Sequence, residues 1–148
     1  LLSYLVGAYL TGHFHMESRW MGAMLATISA VVVLQEDVKT SIHQGWLRVL
    51  GTFIGAVIAY IYLVCFPFTL LGMIVTVFLL DILCMLFGIP DNGRMATITL
   101  VIILIISQMS PSLSPLENGV LRFSEATVGA LIGIALAWLV ELKTKRAK

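Results

Sequence analysis

The sequence predicts an all-α membrane protein, with six transmembrane helices arranged as two inverted three-helix repeats. Three observations predict it: an apolar composition, a unit written twice, and six apolar runs in matching places. Of the 148 residues, 59% are hydrophobic and 11% are charged, and the mean hydropathy is +1.02. Soluble domains carry about 25% charged residues, so a membrane class is set before any motif is read. The formal net charge is +1, and no basic patch interleaved with aromatics exists, so nucleic acid is not an expected partner.

The repeat lies in stretches 45–56 and 119–130. Arg122 follows Arg48 by 74 residues (122 − 48), Gly129 follows Gly55 by the same 74 (129 − 55), and 74 is half the chain. Both copies place an arginine at the mouth of an apolar helix, with small residues one and two turns further in. Such duplication in an apolar chain points to a transporter or channel. The chain reads as a single transmembrane domain over 1–148, with repeat 1 at about 1–68, repeat 2 at about 69–142 and a basic tail at 143–148.

The apolar runs cover 1–14, 20–34, 46–66, 69–87, 95–107 and 120–140. A full span needs about 20 apolar residues, with a range near 17–25. The third, fourth and sixth runs qualify alone. The second and fifth are short and correspond in the two halves, the sequence pointer to helices that end partway through a bilayer near a binding site. The first run opens at Leu1 inside apolar sequence, so further residues are expected before it. Turns are expected at 65–68 and 88–93, a loop at 110–115 and a polar cytoplasmic link at 35–44, with Pro and Gly as punctuation. The basic tail residues Lys143, Lys145, Arg146 and Lys148 belong on the cytoplasmic side. Six crossings then put the N-terminus there too. Three helices per half is odd, so the halves run in opposite directions.

On a helix, positions 48, 51, 52, 55 and 59 share a face. That face reads Arg48, Gly51, Thr52, Gly55, Ala59, and its counterpart reads Arg122, Glu125, Ala126, Gly129, Gly133. Small residues let membrane helices approach closely, so Gly51, Gly55, Gly129 and Gly133 are expected at packing faces. A charge at mid-bilayer costs about 2.5–3.5 kcal/mol on insertion scales and is usually functional. Arg48 and Arg122 lie within about one turn of the expected helix starts. Each either snorkels to its interface or faces a cavity that attracts anions. Thr52 and Thr97 add hydroxyl donors, as does Thr99, and the N-termini of the two short helices add positive potential. Asp81 is a charge partner or a proton carrier, and Glu125, three residues from Arg122, is a neutralising partner.

Other chemistry is thin. His13, His15 and Glu17 do not make the three or four converging ligands a metal needs. Cys65 and Cys84 fall toward opposite ends of adjacent spans, which argues against a disulfide. No nucleophile–base set or phosphate loop is present, so neither an enzyme nor a cofactor is expected.

The run from Ala26 to Gln35, followed by Ser41, Gly45 and Arg48-x-x-Gly51-Thr52-x-x-Gly55-Ala56, resembles the fusaric-acid-resistance and aromatic acid exporter superfamily. The second copy, Arg122-x-x-Glu125-Ala126-x-x-Gly129-Ala130, resembles that domain's later motif, and the plant aluminium-activated malate transporters are similar at this level. Glu36 stands where many relatives have proline, and Ala126 where threonine is common. The resemblance implies a six-helix unit of a bacterial inner membrane, a homodimer, moving organic anions such as aromatic or dicarboxylic acids. Arg48 and Arg122 are the matched motif residues. Two other readings stay open: proton-coupled drug efflux through Asp81, and a membrane assembly protein that transports nothing.

Overall fold

A computed structural model describes residues 1–14, 19–110 and 113–146. His15, Glu17 and Lys148 from the sequence reading, and part of the 110–115 loop, lie outside the described residues. Among the described residues six helices follow one another: α1 (Leu2–Phe14), α2 (Arg19–Val33), α3 (Val38–Cys65), α4 (Leu70–Leu86), α5 (Pro90–Met109) and α6 (Pro115–Arg146). No strand is present among the described residues.

Three helices begin earlier than the apolar runs predict, and the local chemistry explains each. Asp37 starts α3 inside the expected polar link: its carboxylate Oδ2 accepts from the Thr40 N–H at 3.1 Å, and its carbonyl accepts from the Ser41 N–H at 3.0 Å. That is N-cap behaviour. Pro90 opens α5, where a missing N–H costs no hydrogen bond. Ser114 and Glu117 form a capping box at α6: Ser114 Oγ accepts from the Glu117 N–H at 3.2 Å, and Glu117 Oε2 accepts from the Ser114 N–H at 3.0 Å. Apolar runs measure what is buried in lipid, whereas caps decide where backbone hydrogen bonding begins.

These shifts correct the span reading. The fifth helix has 20 residues and is not short. The helices long and apolar enough to cross a membrane are α3, α5 and α6, while α2 and α4 are shorter apolar helices. The matched pair of short second and fifth helices is therefore not found. The expected turn at 88–93 shrinks to its first two residues. Gly88 holds φ +69°; its N–H reaches the Met85 carbonyl at 3.1 Å and the Ile89 N–H reaches the Cys84 carbonyl at 2.9 Å. This Schellman ending needs a left-handed residue, which glycine supplies without strain.

The chain divides into two compact units. The first comprises Leu1–Val49 and Ser124–Lys148, the second Leu50–Phe123. The cuts, before Leu50 and before Ser124, fall 74 residues apart (124 − 50). Each unit thus holds two consecutive helices whole and takes one part of α3 and one part of α6.

In the first unit α2 is the central element, burying Gly22, Ala23, Leu25, Ala26, Ser29, Ala30 and Val33. In the second, Ala59 and Tyr62 of α3, Leu80 and Cys84 of α4, and Ala96, Leu100, Ile103 and Leu104 of α5 form the core. The Tyr62 hydroxyl ties off the α3–α4 turn, donating to the Pro67 carbonyl at 3.3 Å and accepting from the Thr69 N–H at 3.4 Å. Thr69 caps α4 by accepting from the Gly72 N–H at 3.1 Å. Cys84 is buried and Cys65 exposed, both as free thiols.

Candidate functional site

Close helix approach builds a buried polar set in each unit. In the first unit, Gly129 of α6 lies directly on the Ala26 carbonyl of α2, where a Cβ would also stand 2.7 Å from Ser29 Cβ. One turn on, a Cβ at Gly133 would stand 2.7 Å from the Ala30 carbonyl. In the second unit, Gly55 of α3 lies directly on the Ala96 carbonyl of α5, where a Cβ would stand 3.0 Å from Thr99 Cβ. Gly51 lies one turn earlier, its Cβ position 2.5 Å from Met95 Cβ. All four predicted packing glycines therefore contact a neighbouring helix at its backbone or Cβ, as small residues in membrane helices do.

Ser29 is the pivot of the first unit. It is fully buried, and its Oγ accepts a hydrogen bond from Arg48 Nε at 3.2 Å. Arg48 is only 4% exposed. It stands ten residues inside α3, about 15 Å along the helix axis. It is therefore not at the helix mouth. The same unit buries Glu125 of α6, whose Oε1 accepts from the Thr11 hydroxyl of α1 at 2.6 Å. Gly22 of α2 makes the room: a Cβ there would overlap both Thr11 Oγ1 and Glu125 Oε1. One hydroxyl from each of α1 and α2 thus serves a charged group from α6 or α3.

The second unit buries Arg122 of α6 at 3% exposed, seven residues inside its helix, with Thr52, Asn92, Thr99 and Asn118. Thr99 Oγ1 lies 3.4 Å from Thr52 Oγ1 and 3.1 Å from the Met95 carbonyl. The Asn118 amide donates to the Ile103 carbonyl at 3.2 Å and to Ser107 Oγ at 3.1 Å. Asp81 is exposed on α4 and accepts from the Thr97 hydroxyl at 2.7 Å. The structure therefore joins Asp81 to Thr97, and Thr52 to Thr99. It gathers Arg48 and Glu125 in one unit and Arg122 in the other.

Ser29, Thr11, Asn92 and Asn118 escaped the sequence reading. One signal was present. Ala26-Thr27-Ile28-Ser29 recurs as Ala96-Thr97-Ile98-Thr99, 70 residues on (96 − 26). The two glycine seats occupy the same places in these two segments. No signal short of contact geometry marks Thr11, because a lone threonine in an apolar run is ordinary.

Six apolar helices carrying buried arginines describe a multi-pass membrane protein, in which lipid meets the exposed aliphatic faces. The fusaric acid resistance protein-like family matches the chain over residues 2–136, and the chain belongs to that family, one of membrane transporters. No curated protein and no solved structure matches it.

Proposed function

We propose that the chain is a small exporter or channel for organic anions, aromatic or dicarboxylic acids, in a bacterial inner membrane. It is built as two three-helix repeats crossing in opposite directions, with both termini cytoplasmic, and it works as a homodimer. The observation that carries this reading is the burial of Arg48 and Arg122, 4% and 3% exposed, inside membrane helices. A snorkelling arginine keeps its guanidinium at the surface. A buried one bears the cost of a charge in the membrane interior and is retained where charge is needed. The buried Ser29 hydroxyl stands against Arg48, and Thr52 and Thr99 are buried in the same unit as Arg122; hydroxyls are neutral donors suited to carboxylate oxygens.

A membrane assembly protein would use the same glycine seats, but packing of small residues needs no buried arginine. Asp81 is exposed and does not belong to the buried polar sets, so it takes no part in this reading.

The test is flux of labelled aromatic acid and of malate in proteoliposomes, with and without a pH gradient. Arg48→Gln and Arg122→Gln each lower flux by about tenfold, the worth of one charge-assisted contact. Lys39→Ala, at an exposed position of α3, leaves it unchanged. Equal flux in all three variants defeats the proposal. Loss of gradient-driven export in Asp81→Asn alone would favour the proton-coupled alternative.

A further inference from the structure

The outer side of α4 is apolar except at one place. Leu80 and Cys84 are its buried residues, while Phe78, Leu79, Ile82 and Met85 are exposed. In that surface Asp81 of α4 and Arg94 of α5, both exposed, line one open notch of about 410 Å3. Thr97 donates to Asp81 Oδ1 and so orients the carboxylate. Met85 and Ile98 give the notch apolar walls. Asp81 lies five residues before the end of α4 and Arg94 four residues after the start of α5. Those spacings are about 7.5 and 6 Å along the axes. Both residues therefore lie near the α4–α5 turn, the end of each helix that meets a headgroup layer in a spanning arrangement.

We propose that this notch binds an ammonium–phosphate zwitterion, the headgroup of a phosphoethanolamine lipid, with its ammonium on Asp81 and its phosphate on Arg94. The charges match in sign. A primary ammonium donates hydrogen bonds to a carboxylate, and a guanidinium suits a phosphate. The acyl chains of such a lipid cover Ile82 and Phe78, which a soluble zwitterion leaves bare. The two charges are set in an open notch between α4 and α5 that can admit a headgroup. This site stands apart from the transport reading and survives its failure.

The experiment uses the whole purified chain in nanodiscs and reads retained lipid by native mass spectrometry. Wild type retains phosphatidylethanolamine over phosphatidylcholine by about fivefold, since the trimethylated headgroup has no N–H to give. Asp81→Asn brings the two lipids to parity, and Arg94→Gln weakens both. Free O-phosphoethanolamine that fails to compete at millimolar concentration supports a lipid source. Competition that displaces the lipid would keep the notch chemistry and overturn the lipid assignment. Equal retention of the two lipids by wild type overturns the proposal without recourse to any variant. So does a disulfide between copies of an Ile82→Cys variant that leaves no lipid bound, since a second copy would then cover the face.

Discussion

The two units share one packing plan and fill it with different chemistry. The first buries a charge of each sign, Arg48 and Glu125, with the hydroxyls of Thr11 and Ser29 against them. The second buries Arg122 with the neutral groups of Thr52, Asn92, Thr99 and Asn118. The divergence traces to one position. Three residues after the arginine stands Gly51 in the first copy and Glu125 in the second. Where α3 has Gly51, α5 brings up Asn92, its carbonyl 3.1 Å from the Cβ that position lacks. Where α6 has Glu125, α2 offers Gly22. The larger residue thus stands on α6 in one unit and on α5 in the other: Glu125 lies against Gly22, and Asn92, by its backbone carbonyl, against Gly51. A packed interior tolerates such exchange because it constrains total volume more tightly than identity. The lesson is that the two units keep equivalent glycine seats and differ in the charges they bury.

The largest effect should come from breaking the shared plan. Gly129→Val and Gly55→Val each drive a side chain into a backbone carbonyl that cannot swing aside. Each should cost about 3 kcal/mol, the upper range for overpacking, in detergent-to-SDS unfolding. If one site tolerates valine, the two seats are not equivalent.

The next effect should separate the units. Thr11→Val removes the hydroxyl that Glu125 accepts from, at a cost of about 2 kcal/mol, as expected for a hydrogen bond to a charged group. A Glu125→Gln background should recover most of that cost in a double-mutant cycle. No recovery would mean that threonine serves packing alone.

The smallest effect compares the equivalent hydroxyls. Ser29→Ala removes an acceptor from a buried guanidinium, and Thr99→Val a bond between neutral groups. The first should cost about 1 kcal/mol more than the second, read in the same titration. Equal costs would show that the first unit gains nothing from its charge.

Much of this was legible in the chain and some was not. The offset between Arg48 and Arg122 and the glycines at 51, 55, 129 and 133 were all visible, because packing faces demand small residues at fixed helical spacing. Helix starts were misjudged at Asp37, Pro90 and Ser114, because hydropathy follows lipid contact and is blind to capping. That error mattered: it put Arg48 and Arg122 near helix mouths when they stand ten and seven residues inside. Asp81 stands in an apolar run, yet it is exposed, because apolarity along α4 records contact with hydrocarbon and not enclosure by protein.

Composition and periodicity by themselves determined that this chain is helical and apolar. Those properties follow from backbone groups that must bond internally in lipid and from the reach of each helix. Which charges share a unit was left to tertiary packing. Arg48 is joined to Ser29 across 19 residues and Glu125 to Thr11 across 114, and only the meeting of helix faces brings groups so distant in sequence within bonding range.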